Sequence, residues 1–175
     1  ATGANVINSA DSAIAVTVEA GSGAATAANI TGLTSGSTVT VNDSKDQTAG
    51  VKALTVGYKD LEAAATIDVN SKITTDAATG VTINNVTAAT IDYAKAANST
   101  GGINSDNKLK TLTITGQDGV TTGTVSSPAL ETVTVSGVKV VTTGTIANAS
   151  KLKTVNVTST TESVIVGNIG TAANN

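Results

Sequence analysis

The side chains in this sequence that could do chemistry are oxygen donors, and they gather in three short polar loops. The loops are Asn42-Asp-Ser-Lys-Asp46, Asn104-Ser-Asp-Asn107 and Gly116-Gln-Asp-Gly119. Calcium needs only hard oxygen ligands from carboxylates, amide side chains and backbone carbonyls. Asp43, Asp46 and Asp118 are therefore candidate calcium ligands, and calcium is the one cofactor suggested. Asp, Asn, Ser and Gly are also ordinary turn residues, which is the favoured interpretation of each loop, and Lys45 counts against the first.

The chain lacks most of the side chains that catalytic mechanisms use. The 175 residues include no His, Cys, Met, Trp, Phe or Arg. Without His no side chain has an ordinary pKa near neutrality, and without Cys there is neither a thiolate nor a disulfide. The paired carboxylates are Asp43/Asp46 and Asp60/Glu62, but a glycosidase needs two at a defined separation in a cleft, normally with several aromatic sugar platforms, which a chain with two aromatic residues cannot supply. We therefore expect that the protein is not an enzyme.

The charge pattern limits the partners that the chain can have. Ten Lys are scattered against thirteen acidic residues, giving a net charge of −3, and the only aromatic residues are Tyr58 and Tyr93. Nucleic-acid binding usually needs clustered cations and stacking aromatics, so we expect no nucleic-acid partner. No apolar run approaches the 18 or so residues that cross a bilayer, which predicts no transmembrane segment.

Alternation of Val, Ile or Leu with Thr is the dominant local pattern. It is clearest in Ser37–Val41, Thr111–Thr115, Glu131–Ser136 and Lys153–Thr158. A period of two with β-branched residues predicts β-strands. Helix signals are confined to 59–65 and 93–98, each long enough for one or two turns. The chain is therefore predicted to be all-β.

These strands recur at a fixed distance along the chain. Leu109-Lys-Thr-Leu-Thr-Ile-Thr-Gly is followed 21 residues later by Leu130-Glu-Thr-Val-Thr-Val-Ser-Gly, which is followed after a further 22 residues by Leu152-Lys-Thr-Val-Asn-Val-Thr-Ser. A second motif, Val120-Thr-Thr-Gly-Thr-Val125, recurs at 141–146. A period near 22 predicts a β-solenoid of stacked coils. The alternative is a β-sandwich of antiparallel strands with turns at similar spacing.

The repeat divides the chain into two regions. Weaker matches to the first motif occur at Val51–Gly57 and Val86–Asp92, whereas none is visible in residues 1–50. We therefore predict an N-terminal β element or cap at 1–50 and a β-rich repeat region at 51–175.

Aligning the coils predicts which side chains face inward. Leu112, Val133 and Val155 would form one buried column and Ile114, Val135 and Val157 the next, because alternate residues of a strand share a face. The same alignment places Glu131 between Lys110 and Lys153. The threonines between these positions would line the outer face, where regular Thr-x-Thr ladders can order water and bind ice.

In its composition, and in phrases such as Leu130-Glu-Thr-Val-Thr-Val-Ser-Gly137, the chain resembles the repetitive parts of bacterial surface-layer proteins of the type I secreted, calcium-dependent kind. The glycine-rich calcium nonapeptide of such proteins is absent, and Gly116-Gln-Asp-Gly119 is only a fragment of it. A weaker resemblance is to BspA-type surface leucine-rich repeats. Both resemblances imply an exported protein at the cell surface.

Together these features predict a structural, self-assembling subunit of a surface layer or of another extracellular lattice or fibre. Self-association is the expected interaction, and any anchoring to cell-surface glycans would lie in parts of the protein outside this chain. The alternative is a binding module, either an adhesin repeat or an ice-binding solenoid.

Overall fold

The computed structural model describes residues 5–8, 12–19, 27–42, 53–70, 80–93, 98–100 and 102–170, and the regular structure in those residues is entirely β-strand. The strands are β1 (Asn5–Asn8), β2 (Ala15–Glu19), β3 (Ala27–Leu33), β4 (Thr38–Asn42), β5 (Ala53–Asn70), β6 (Val81–Tyr93), β7 (Asn98–Thr100), β8 (Ile103–Ser105), β9 (Thr111–Gly116), β10 (Val120–Thr122), β11 (Val125–Ser126), β12 (Thr132–Gly137), β13 (Val141–Thr143), β14 (Ile146–Ala147), β15 (Thr154–Ser159) and β16 (Val164–Val166). The prediction of an all-β chain is confirmed. Stretch 59–65, where helical turns were considered, lies within β5 instead. Of the second such stretch, Tyr93 ends β6, Asn98 begins β7, and 94–97 lie outside the described residues.

Neighbouring strands pair in parallel and join residues about 23 positions apart in sequence, as in Val16 with Val39 and Ile91 with Ile114. The offset varies from 21 residues between β9 and β12 to 28 between β4 and β5, and parallel pairing between segments one repeat apart means that each coil stacks on the one before it. The predicted β-solenoid is therefore confirmed. The β-sandwich alternative is wrong, because every strand pairing among the described residues is parallel.

Each coil has up to three strand-bearing sides. The A face contains β2, β4, the C-terminal part of β5, the C-terminal part of β6, β9, β12 and β15. The B face contains β7, β10, β13 and β16. The C face contains β1, β3, the N-terminal parts of β5 and β6, β8, β11 and β14. The long strands β5 and β6 run through both the C and A faces, so these two faces form one 12-stranded sheet.

The core lies inside the coils as columns of aliphatic side chains. One A-face column contains Val16, Val39, Ile67, Ile91, Ile114, Val135 and Val157. The predicted columns of Leu112, Val133 and Val155 and of Ile114, Val135 and Val157 are confirmed by the strand register. Val133 and Val135 are fully buried, whereas Val155 and Val157 are only half-buried because β15 is the last described strand of this face.

The strands of the first 50 residues belong to the same ladder as the later ones. β3 pairs with the beginning of β5, and β4 pairs with its end. The division into regions 1–50 and 51–175 stays a prediction.

One of the weaker sequence matches lies on a different face from the motif it resembles. Leu54 and Val56 pair with Val81 and Ile83 on the C face, whereas Val86–Asp92 leads into the A face beside β9. The alternation is the same on both faces, so the sequence does not distinguish them.

The corner between the B and C faces needs glycine because consecutive coils approach very closely there. A Cβ on Gly144 would lie 2.4 Å from the carbonyl oxygen of Gly123, and one on Gly167 would lie 2.8 Å from Gly144. This column is the physical reason why glycine recurs in the Val-Thr-Thr-Gly-Thr motif.

Candidate functional site

The predicted calcium ligands are only partly placed. Asp43 and Asp46 lie outside the described residues. Asp118 lies in the turn after β9, and its Oδ1 atom is 2.8 Å from the Nζ atom of Lys139, at the equivalent position one coil further on. Hydrogen bonding to this carboxylate, followed by its charge, raises the pKa of Lys139 above its ordinary value.

The surroundings of Asp118 form an open groove of about 250 Å³. Its lining residues are Asp118, Gly119, Thr121, Lys139, Val140 and Glu162. Calcium takes six to eight oxygen ligands, so an ion at Asp118 would have to displace the Lys139 ammonium. The described part of the chain contains no group of three or more acidic side chains placed to hold a metal. Calcium binding stays a prediction.

The second polar loop uses its carboxylate to build a corner. Asp106 Oδ2 accepts a hydrogen bond from the backbone N–H of Asn85 at 2.8 Å, and its Oδ1 accepts one from the N–H of Lys108 at 3.1 Å. Asn85 has a φ of 60°, and its side-chain amide donates to the carbonyl oxygen of Tyr58 at 2.7 Å. Lys108 also donates to the Asn85 side chain. These contacts support the interpretation of the loop as a turn.

The outer side of the A face is a regular array of short polar side chains, and we call it the threonine face. Its central column runs in register through Thr66, Thr90, Thr113, Thr134 and Asn156. The column on one side contains Ala64, Ala88, Thr111, Thr132 and Thr154, and the column on the other contains Thr17, Thr40, Asp68, Asp92, Thr115, Ser136 and Thr158. Side chains within one column lie about 4.8 Å apart, which is the spacing between strands, and neighbouring columns lie about 6.7 Å apart along the strands.

Two carboxylates interrupt this array at neighbouring positions. Asp68 and Asp92 are directly paired across β5 and β6, and the Thr115 hydroxyl donates to Asp92 Oδ1 at 2.6 Å. Like charges placed opposite one another destabilise a sheet. The threonine face is therefore most uniform over β9, β12 and β15, where the outward residues are Thr, Ser and Asn.

The C-terminal end of the solenoid exposes aliphatic side chains, and we call Val164, Ile165, Val166 and Ile169 the end patch. Each of these side chains is at least 40% exposed. Val164 and Ile169 continue columns that are buried one coil earlier, at Val141 and Ile146. The end patch is thus core sequence that, among the described residues, no further coil covers.

The backbone of β16 also has an open side. Ser163 O accepts a hydrogen bond from Val141 N–H at 3.1 Å, and Gly167 N–H donates to Thr143 O at 2.8 Å. Since peptide groups alternate in direction along a strand, the N–H and C=O groups of Val164 and Val166 point away from β13. Among the residues that the structure describes, β16 is an edge strand, of the kind that can accept another strand.

Two ion pairs, Asp118–Lys139 and Glu131–Lys153, connect residues that are one repeat apart in sequence. Glu131 Oε2 lies 2.6 Å from Lys153 Nζ, as the predicted alignment requires. The Asp118–Lys139 pair was not predicted, although both residues follow the glycine that ends the first motif by two positions. The same alignment that found Glu131 would have found it.

Comparison of the chain with protein-family models, curated proteins and solved structures finds no match. Among the described residues there is no helix with the length and apolar character to cross a membrane.

Proposed function

We propose that this chain is a structural, self-associating protein of the cell surface, a subunit of a surface layer or of a related extracellular lattice or fibre. The observation that carries the proposal is the end patch. Exposed aliphatic side chains on an edge strand favour association with another polypeptide, because pairing removes apolar area from water and satisfies backbone groups. The surface-layer resemblance supports the extracellular location.

Charge does not oppose such association strongly. The net charge is only −3, and the described stretch 163–170 carries no ionisable side chain. Calcium bridging between acidic loops would reduce the remaining repulsion; Glu162 is the described carboxylate nearest the end patch in sequence, and Asp118 lines the same groove as Glu162. This calcium role is part of the proposal.

The test is the oligomeric state of the intact chain, measured by light scattering over a range of concentrations with excess calcium or with a chelator. We expect mass to increase with concentration, and to decrease in Ile169→Lys. Leu61→Lys is the matched control, because Leu61 is 60% exposed but lies in β5, away from the end patch. Deleting residues 163–175 is a poorer test, since it would uncover β13 and create a new apolar end.

A chain that stays monomeric at high concentration with excess calcium would overturn the proposal and support the binding-module alternative. Association that is unchanged by the chelator would overturn only the proposed role of calcium.

A second candidate function is ice binding by the threonine face, because the register continues the threonine column beyond the repeats visible in sequence. The β-branched Thr side chain is stiff at χ1, so a column presents its hydroxyl and methyl groups in one repeated arrangement. Thr113→Lys should abolish inhibition of ice recrystallisation, whereas Thr82→Lys, on the outer side of the C face, should not. Equal activity of the two variants would exclude the threonine face as the ice-binding surface.

A further inference from the structure

We infer that two copies of this chain pair through their C-terminal ends about a two-fold axis, with β16 of one copy antiparallel to β16 of the other. This inference rests on the proposed self-association and specifies the partner and symmetry of one contact; because a two-fold axis closes the pair, a lattice or fibre also needs a second contact elsewhere on the chain. The occupant of the end patch is thus a second end patch.

The sequence of β16 suits pairing with itself. Val164-Ile165-Val166 reads the same in both directions, so antiparallel pairing centred on Ile165 places each Val opposite a Val. Val164 and Val166 lie in the inward columns of Val141 and Thr143, and Ile165 lies in the outward column of Thr142. A two-fold axis perpendicular to the sheet keeps inward residues inside, and the core continues from one copy to the other.

The backbone of β16 is also arranged for this pairing. Val164 and Val166 direct their N–H and C=O groups to the open side, since the groups of Ser163 and Gly167 are used by β13. In the antiparallel pair, Val164 of each copy would exchange hydrogen bonds with Val166 of the other. Ile165 would then face its own copy in a non-hydrogen-bonded pair, with a Cα–Cα distance of about 4.5 Å.

The shape of the end favours the same axis. The chain rises through β15, then β16, then Ile169, so the end surface of the last coil is a shallow spiral step. The step is lowest along the solenoid axis at β15 and highest at Ile169. A two-fold axis through β16 therefore places β15 of each copy against Ile169 of the other. The half-buried Val155 and Val157 of β15 are covered in the same contact.

Symmetric contact predicts cross-linking between identical positions. The chain contains no cysteine, so each introduced thiol is unique. Ile165→Cys should form a disulfide-linked dimer under mild oxidation, because the expected Cα–Cα distance lies within the disulfide range of about 4.4–6.8 Å. Thr142→Cys is the matched control: it lies in the same outward column one coil earlier, about 14 Å from its counterpart across the axis by strand spacing.

Val166→Pro provides a second test that does not depend on oxidation. It removes an N–H that points away from β13, so the internal ladder keeps its hydrogen bonds, and proline is tolerated on such an edge. We expect the dimer dissociation constant, measured by analytical ultracentrifugation, to rise at least tenfold while the circular dichroism spectrum is unchanged.

The outcomes separate this inference from the proposed function. Association of the intact chain without cross-linking of Ile165→Cys, or with equal cross-linking of Thr142→Cys, would overturn the two-fold contact and leave self-association standing. A monomeric intact chain would overturn both. A dimer that Val166→Pro does not weaken would exclude pairing through the β16 backbone.

Discussion

At the scale of single residues, inward and outward positions alternate along each A-face strand, and their tolerance to charge should differ accordingly. Val133 is fully buried between Leu112 and Val155, whereas Thr134 faces outward. Val133→Asp should lower the free energy of unfolding by several kcal/mol, because an unpaired carboxylate would have to be buried. Thr134→Asp should change it by less than about 1 kcal/mol. Urea denaturation measures both, and equal effects would mean that the faces are assigned wrongly.

Glycine at the corner between the B and C faces is a second residue-scale requirement. Gly144→Ala would place a Cβ 2.4 Å from the backbone of the coil below, and overpacking of this kind costs about 1–3 kcal/mol. Gly57→Ala is the control, since its Cβ would meet Asn84 at an ordinary 3.6 Å. We expect the thermal midpoint to decrease only for Gly144→Ala. A similar decrease for Gly57→Ala would show that glycine content alone matters.

At the scale of elements, one ion pair reports the register between β12 and β15. Lys153 donates to Glu131 from the next coil, and this hydrogen bond together with the lysine charges lowers the Glu131 pKa. A carboxyl with a lowered folded pKa stabilises the fold above its unfolded value, here 4.5, and that stabilisation is lost as the pH falls through the folded pKa.

Glu131→Gln should therefore be less stable than the unmodified chain at pH 7, and the difference should disappear well below pH 4.5. Chemical denaturation at the two pH values measures it. Lys153→Met should show the same pH dependence, because it removes the other partner. A difference that persists at low pH would mean that Glu131 acts through packing and not through its charge.

The same elements show how far the sequence predicts the structure. β9, β12 and β15 are predictable in position and register because their Leu-x-Thr-Val-Thr-Val phrases are nearly identical. The face on which Leu54 and Val56 lie is not predictable, because period-two alternation carries no information about which side of a coil a strand occupies. The bend through Asn85 depends on contacts with Tyr58 and Asp106 that are distant in sequence. The end patch was predictable as an apolar, uncharged segment, but its exposure depends on whether another strand pairs with β16, which the local sequence does not encode.

At the scale of the whole molecule, each coil contacts only its neighbours, so stability should vary along the stack. Interior coils are paired on both sides, whereas β15 and β16 each pair with one described strand. Local opening should therefore begin at strands with one paired neighbour, β15 and β16 at this end and β1 and β2 at the other, and amides there should exchange with solvent fastest. At low concentration we expect rapid hydrogen exchange at Val164 and Val166 and strong protection at Thr132 and Thr134, whose N–H groups point to β9 and not to β15.

Raising the protein concentration should change this profile at one place. If copies pair through β16, the amides of Val164 and Val166 become hydrogen-bonded across the contact, and their protection should increase with the fraction of dimer. Thr132 and Thr134 serve as internal controls because their N–H groups point to β9, on the side of β12 away from the contact. Protection that increases on the threonine face and not at β16 would place the association laterally, along the sides of the solenoid. Protection that is independent of concentration everywhere would mean that the coil end is closed within a single chain.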